Sequence, residues 1–219
     1  LAYVSTLCIL SGVPSSFTSS SRLLRFIDDN QDGVADGAPT VAYSGLNGGR
    51  TSVRLGGALV VVAGQARPIY VLRQGATPAE PFTMVGRLEI NYGSTGWMHP
   101  HSALVVRPSP GVAMSYDLIF QIGSKANFST TTQTAALTST GLGGLTGSLN
   151  GDSLYLVTFI DRGTNVLATG LTQIANGLRN PSGFAFHPDT GDLYFEDNGI
   201  DGLSDPNEPL SADELNVLP

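Results

Sequence analysis

A recurring pattern along this chain limits the folds that it can adopt. The run Leu24-Arg-Phe-Ile-Asp28 matches Val157-Thr-Phe-Ile-Asp161, and a Gly-Leu pair follows the phenylalanine of each run, 19 residues later in the first copy and 18 in the second. Two further runs, Leu104-Val-Val-Arg-Pro108 and Phe184-Ala-Phe-His-Pro188, align in register. Because self-similarity at a fixed spacing is the signature of repeat architectures, the sequence predicts three units, at residues 20–64, 69–123 and 153–197.

Each unit is predicted to contain four short β-strands. Only 13% of the residues are charged and 27 are glycine, a composition that favours strands and tight turns over helices. We therefore expect about twelve strands with almost no helix. An inner strand is predicted in each unit, at residues 52–55, 103–106 and 183–186.

Repeated four-stranded units are typical of the blades of a β-propeller. The prediction is an all-β chain that forms a single partial β-propeller domain over residues 1–219, with about three blades of a six-bladed ring. Three blades cannot close a ring, so the remaining blades are expected from the rest of a longer polypeptide or from another chain. An irregular β-sandwich is the alternative that the pattern leaves open.

Two segments depart from the repeat. Residues 130–148 are rich in Thr, Ser, Gly and Leu and are predicted to be a mobile insertion between blades. Residues 196–216 are predicted to be an acidic loop with seven carboxylates: Glu196, Asp197, Asp201, Asp205, Glu208, Asp213 and Glu214. Because these carboxylates repel one another, a cation or ordered water is expected to offset part of their charge. A solvated acidic insertion is the alternative.

The net charge, the hydropathy and the composition of the chain limit its expected binding partners and cellular compartments. The net charge of −7 leaves no basic stripe to neutralise phosphates, so nucleic acid is not an expected partner. No stretch approaches the ~20 apolar residues of a transmembrane helix. The single cysteine, Cys8, excludes an internal disulfide. An acidic surface rich in Thr, Ser and Gly is more typical of a secreted, periplasmic or cell-surface protein than of a cytosolic one.

Two histidines stand where the repeat predicts the rim of a central channel. His99 lies five residues before Leu104, and Arg179 lies five residues before Phe184, so the two side chains are expected to reach one cavity from neighbouring units. A histidine beside an arginine suits proton abstraction next to a clamp for an anion. His101 competes with His99 for this position. The alternatives are a metal-binding pair or histidines with a purely structural role.

The segment Asp28–Asp36 has the spacing of a calcium-binding loop. Asp28, Asn30 and Asp32 occupy loop positions 1, 3 and 5, with Gly33 at position 6. The carbonyl of Val34 and the carboxylate of Asp36 complete the predicted ligand set, although Pro39 stands where a bidentate acid is expected. The alternative is an acidic turn that is open to water.

The run Gly177-Leu-Arg-Asn-Pro-Ser-Gly183, followed by Asp213-Glu-Leu-Asn216, resembles the soluble quinoprotein glucose dehydrogenases and their glucose/sorbosone dehydrogenase relatives. The resemblance spans residues 177–216. It implies a β-propeller that uses pyrroloquinoline quinone (PQQ) and calcium to oxidise a sugar or another alcohol. In this family some members have lost the activity.

The resemblance also assigns roles to particular residues. His99 corresponds to the base that takes the hydroxyl proton, with His101 as its competitor near the cofactor. Arg179 and Asn180 correspond to the pair that contacts the quinone oxygens. The backbone carbonyls of Gly199 and Ile200 correspond to ligands of a calcium ion beside the quinone.

Two positions depart from well-known members of the family. Met98 stands in place of a polar residue and Ile200 in place of a proline. These departures favour an alternative function, a non-catalytic extracellular propeller that serves as a binding or structural module. A hydrolase or lactonase-type propeller is a further alternative.

Overall fold

The structure is a computed structural model that describes residues 2–5, 20–48, 52–77, 79–94, 96–127, 131–200 and 211–219. The described residues form sixteen strands and no helix, which confirms the all-β prediction. The strands are β1 (Ala2–Ser5), β2 (Ser20–Phe26), β3 (Thr40–Asn47), β4 (Ser52–Gly56), β5 (Leu59–Ala63), β6 (Ile69–Arg73), β7 (Thr83–Asn91), β8 (Leu104–Pro108), β9 (Ser115–Ile122), β10 (Thr134–Thr140), β11 (Thr146–Asn150), β12 (Ser153–Asp161), β13 (Val166–Asn176), β14 (Pro181–Phe186), β15 (Leu193–Asp197) and β16 (Glu214–Leu218).

The strands form four antiparallel sheets. The first sheet has the order β1-β2-β3 and the second has the order β11-β10-β7-β6-β5-β4. The third sheet has the order β13-β12-β9-β8 and the fourth has the order β14-β15-β16. Within the described residues no helix is long and apolar enough to cross a membrane. Cys8 and three of the seven loop acids, Asp201, Asp205 and Glu208, lie outside the described residues.

The predicted strands are present, but the sheets divide the chain differently from the predicted units. The unit at 20–64 is split, because β2 and β3 belong to the first sheet while β4 and β5 belong to the second. The unit at 69–123 is split in the same way, between β7 and β8. The period-two alternation of side chains identifies strands, but it does not say which neighbouring pairs share hydrogen bonds.

The segment predicted to be a mobile insertion is an ordered hairpin. Strands β10 and β11 pair with each other, and β10 also pairs with β7, so that Leu137 lies opposite Ile90. Leu137, Leu142 and Leu149 are buried in the main core. The prediction was wrong because glycine was interpreted as a sign of mobility, whereas Gly141, Gly143 and Gly144 supply positive φ angles for the hairpin turn.

The four sheets stack face to face, and β5, β6 and β9 of the two middle sheets are buried on both faces. In β5, Val60 and Val62 pack with residues of the first sheet, whereas Leu59, Val61 and Ala63 pack with residues of the third. A third core cluster joins the third and fourth sheets, with Val105 and Ile119 against Phe184 and Phe195. Side chains on the two faces of one strand therefore pack against two different neighbouring sheets.

The first strands of the second, third and fourth sheets lie next to one another in that order. Strand β4 contacts β8, and β8 contacts β14. Strands β4 and β14 contain the predicted inner strands at 52–55 and 183–186, and β8 covers residues 104–106 of the one at 103–106. The outer face of the fourth sheet carries exposed apolar side chains, namely Tyr194, Leu215 and Val217.

Candidate functional site

A polar cavity of about 570 Å³ opens where strands of the third and fourth sheets end. Its wall consists of the segments after β9, β13 and β15, the turn between β11 and β12, the end of β13, and the segment that precedes β16. Residues that follow or precede a strand lie on loops that a rigid sheet positions, so they suit a binding site. The charged wall residues are Asp152, Arg179, Asp197 and Glu214.

Arg179 lines this cavity. Its Nε donates to the backbone carbonyl of Asn127 at 3.0 Å, and its Nη2 donates to Asn127 Oδ1. Its Nη1 donates to the carbonyl of Asn198 at 3.2 Å. These bonds hold the guanidinium between two loops. They also engage the side chain of Asn127.

Asp197 anchors the segment that carries the arginine. Its carboxylate accepts the backbone N–H of Arg179 at 2.9 Å and that of Asn180 at 2.7 Å. Burial raises the pKa of Asp197, and the nearby charge of Glu214 adds to the rise, while the two backbone donors oppose it. The carboxylate therefore fixes the start of β14 at an electrostatic cost.

Asp152 adds a second carboxylate to the same wall. It lies in the turn between β11 and β12 with a φ of 57°, and its carbonyl accepts the N–H of Leu178 at 3.0 Å. Burial raises the pKa of Asp152, and the charge of Asp197 adds to the rise. The described wall thus holds more negative than positive charge, which favours a cation or a hydroxyl-rich neutral ligand over an anion.

His99 is connected to the cavity wall through Ser124 and is not itself among the lining residues. Its Nδ1 lies 2.8 Å from Ser124 Oγ, and its backbone N–H donates to the Ser124 carbonyl at 3.0 Å. The backbone N–H of Ser124 donates in turn to the carbonyl of Arg179 at 2.7 Å. The structure therefore brings His99 and Arg179 onto one serine, although only Arg179 faces the cavity.

His101 has a different environment from that of His99. It is 1% exposed, its Nε2 lies 2.6 Å from the carbonyl of Arg67, and its Nδ1 lies 2.7 Å from the Tyr92 hydroxyl. That hydroxyl also accepts the backbone N–H of His101 at 2.8 Å. His101 is therefore a buried structural histidine in this structure, and neither the metal-pair interpretation nor a cofactor contact fits it.

The predicted cofactor residue Asn180 and the predicted calcium ligands Gly199 and Ile200 lie near Arg179. The carbonyl of Asn180 accepts Asn198 Nδ2 at 2.7 Å, and Asn180 is not among the lining residues. Gly199 and Ile200 line the cavity. Their N–H groups donate to Asp213 Oδ1 at 2.8 Å and to Ser211 Oγ at 2.7 Å.

The predicted calcium loop lies between β2 and β3, away from the cavity. Asp28 accepts the N–H groups of Asp32 and Gly33 at 3.1 and 2.9 Å. Asn30 Nδ2 bridges Asp32 Oδ2 at 3.1 Å and Asp36 Oδ1 at 3.3 Å. These bonds gather the predicted side-chain ligands within one turn. Among the described residues there is no group of three or more His, Cys, Asp or Glu side chains in metal-binding range.

Sequence reasoning did not identify Ser124 or Asp152 as site residues. Neither carries a motif, because each becomes part of the wall only through the pairing of β9 with β12 and the stacking of the last two sheets. Asp197 was recognised only as one of seven acids. The Gly177–Asn216 stretch offered a usable signal for it, since the acid ends the strand that pairs with the Arg-Asn segment.

Comparison with known proteins adds little to this geometry. No family model matches the chain, and no solved structure matches it. A segment of 45 residues is 51% identical to part of an uncharacterized protein from Borreliella burgdorferi. That match covers 20% of this chain and 11% of the relative, so the chain spans about a tenth of the relative's length.

Proposed function

We propose that this protein is a β-propeller enzyme that oxidises a sugar or another alcohol with bound PQQ and calcium. The observation that carries the proposal is the connection of His99 to Arg179 through Ser124, beside a polar cavity. Face-to-face stacking of the sheets, with β4, β8 and β14 adjacent, supports the propeller. The further blades come from the rest of a longer polypeptide or from another chain.

The cavity residues fit a quinone only together with a cation. PQQ carries carboxylates, which Arg179 attracts and which Asp152, Asp197 and Glu214 repel. The carbonyls of Gly199 and Ile200 would hold a calcium ion whose charge would offset that repulsion, because calcium prefers oxygen ligands and nearby negative charge. When bound, the quinone supplies the two-electron oxidant.

The chain's own residues then have separate tasks. His99 accepts the proton of the substrate hydroxyl, and Arg179, with Asn180 beside it, orients the quinone. The amide and hydroxyl groups of the wall, which include Asn150, Gln173 and Asn176, bind the hydroxyls of a small sugar or alcohol. The calcium loop at Asp28–Asp36 stabilises an outer hairpin. The protein acts outside the cytosol, in a secreted or periplasmic setting.

Two observations favour a non-catalytic module as the second candidate. His99 is not among the cavity-lining residues, and three carboxylates face one guanidinium there. A propeller with such a site would bind a polyhydroxylated ligand at the cell surface without oxidising it.

The test uses the full-length protein supplied with PQQ and calcium, assayed for dye-linked oxidation of an aldose. His99→Ala is expected to lower the rate by about 10²–10⁴-fold while PQQ still binds, because a base is lost and Arg179 remains. Arg179→Ala is expected to weaken PQQ binding by about tenfold or more, measured by calorimetry. His187→Asn, in the turn between β14 and β15, serves as the control and leaves both measurements unchanged.

The two candidates predict opposite results. A full-length protein that neither binds PQQ nor oxidises any sugar refutes the enzyme. Binding of a sugar without PQQ, together with the absence of oxidation, supports the non-catalytic module.

A further inference from the structure

Ser124 lies at the junction of the two segments that carry His99 and Arg179. It follows β9 after Gly123, lines the cavity and is 6% exposed. Its backbone makes both cross-links, since its N–H donates to the Arg179 carbonyl and its carbonyl accepts the His99 N–H. The backbone of Ser124 therefore fixes how its side chain is placed against the imidazole ring.

Among the described residues the hydroxyl of Ser124 has two hydrogen-bond partners. One of them, a backbone carbonyl, can only accept, whereas the other, a histidine nitrogen, can either donate or accept. Ser124 Oγ lies 2.6 Å from the carbonyl of Ala126 and 2.8 Å from His99 Nδ1. A carbonyl oxygen has no proton to donate, so the hydroxyl proton points to Ala126. The Oγ lone pair then faces His99 Nδ1, which must carry a proton to complete the bond.

We propose that Ser124 holds the neutral ring of His99 in the Nδ1–H tautomer and so makes Nε2 the proton acceptor. The assignment follows from the donor and acceptor roles at Ser124 Oγ. Its consequence for catalysis rests on the proposed function, in which His99 takes a substrate proton. Ser124 acts there as a positioning residue, because it sets which ring nitrogen accepts the proton and does not touch the reacting atoms.

His101 provides an internal comparison with the opposite tautomer. Its Nε2 lies against the carbonyl of Arg67 and must donate, so its Nδ1 accepts from the Tyr92 hydroxyl. That hydroxyl has its proton available for Nδ1, because its other bond accepts the His101 N–H. The two neighbouring histidines are therefore protonated on different ring nitrogens.

Nitrogen NMR of the full chain with ¹⁵N-labelled histidine distinguishes these states. Long-range ¹H–¹⁵N correlations, recorded at about pH 8, report which ring nitrogen of each histidine carries a proton. The three histidines are assigned with single His→Asn variants. We expect an Nδ1–H ring for His99 and an Nε2–H ring for His101. A wild-type spectrum with His99 as Nε2–H overturns the proposal, and this result needs no variant to fold.

Substitution at Ser124 tests the cause. Ser124→Ala is expected to remove the Nδ1–H signature of His99, and Ser124→Thr, which keeps the hydroxyl, is expected to retain it. The His101 signals remain unchanged in both variants and report that the fold is intact. Retention of the Nδ1–H tautomer in a folded Ser124→Ala protein overturns the role of Ser124.

Kinetics separate this inference from the proposed function. If the enzyme assay succeeds, Ser124→Ala lowers kcat by about tenfold or more, changes KM by less than about twofold, and Ser124→Thr restores the rate. An unchanged kcat in Ser124→Ala refutes the positioning role. A protein without any oxidase or dehydrogenase activity refutes the proposed function, while the NMR result still decides the tautomer.

Discussion

At the scale of single residues, Arg73 and Asp161 form a two-point ion pair that joins the second sheet to the third. Arg73 Nη1 and Nη2 donate to the two carboxylate oxygens at 2.9 and 2.6 Å. Asp161 is 4% exposed and also accepts the N–H of Gly163 at 2.9 Å. The hydrogen bonds from Arg73 lower the pKa of Asp161. Removal of the arginine would therefore leave a charge in an apolar interface.

We predict that Arg73→Met lowers the free energy of unfolding by about 3–5 kcal/mol, because one partner of a buried pair is lost. Arg87→Met is the matched control. Arg87 pairs with Glu89 at 2.9 Å on an exposed face, where solvent screening limits the effect to about 0–1 kcal/mol. Urea unfolding at neutral pH measures both. Equal losses in the two variants contradict the prediction.

The same pair predicts a pH dependence. The folded pKa of Asp161 lies below its unfolded value, so its contribution to stability is present above the unfolded pKa of about 3.9 and is lost as pH falls through the folded pKa. Between about pH 4 and 2, the difference in unfolding free energy between wild type and Arg73→Met is therefore expected to shrink. A difference that stays constant over this range contradicts the assignment.

The contribution of Asp152 to stability is predicted to change with pH in the opposite direction from that of Asp161. Because its folded pKa is raised, its ionised form disfavours the folded state above the unfolded pKa of about 3.9. Asp152→Asn removes the charge and keeps a residue that tolerates a φ of 57°. In chelator at pH 7 the variant is expected to melt higher than wild type, by about 2–4 °C per kcal/mol gained.

The advantage of Asp152→Asn is expected to vanish near pH 3, where Asp152 is protonated in both the folded and the unfolded states. Asp189→Asn, in an exposed turn, is the control and leaves the melting temperature unchanged at both pH values. A variant that melts lower than wild type at pH 7 contradicts the prediction.

At the scale of elements, the connection between β2 and β3 is ordered by its own side chains. The side-chain oxygens of Asp28, Asn30, Asp32 and Asp36 accept hydrogen bonds from backbone N–H groups of the same loop. The corresponding turn between β12 and β13, residues 162–165, has no acidic side chain. The acidic loop is therefore not required by the strand pairing.

We predict that calcium raises the melting temperature by about 5–10 °C at a concentration of about 100 times the Kd, relative to chelator. Asp32→Ala is expected to abolish this rise. Asp29→Ala removes the same charge from the same loop at a position that is not a predicted ligand, so it is expected to retain most of the rise. Scanning calorimetry with and without calcium measures all three proteins. Equal melting temperatures of wild type in calcium and in chelator contradict the site.

At the scale of the whole molecule, three segments from two sheets meet at Gly123. A Cβ atom at this position would lie 2.6 Å from the Arg179 carbonyl oxygen and 2.7 and 2.8 Å from the Cβ and carbonyl oxygen of His99. Its φ is not in the left-handed region, so the requirement for glycine is one of space alone. The close approach allows Ser124 to bond to both neighbours.

Gly123→Ala is predicted to destabilise the protein by about 1–3 kcal/mol, because backbone atoms must move to admit the methyl group. Gly96→Ala is the control, since nothing lies within 4 Å of the Cβ that it adds. Urea unfolding is expected to show a loss for Gly123→Ala and little change for Gly96→Ala. A neutral Gly123→Ala would mean that the segments of His99 and Arg179 are less tightly joined than the distances indicate.

The sequence by itself determined the strands and several of the charged wall residues. Alternating apolar residues and turn glycines are local signals, so runs such as Ile69–Arg73 were recognised as strands without tertiary information. The repeat register singled out Arg179, which lines the cavity, and His99, which does not. The acids at the end of β15 were also visible in the sequence.

Only the tertiary structure decided which strands share a sheet and which polar groups meet. The boundary between β7 and β8, the hairpin at β10 and β11, and the burial of His101 depend on contacts between segments that are distant in sequence. The pairing of His99 with Ser124 spans 25 residues, and the ion pair of Arg73 with Asp161 spans 88. Side-chain periodicity specifies which face of a strand is apolar, but hydrophobic burial is non-directional and does not specify which sheet will cover that face.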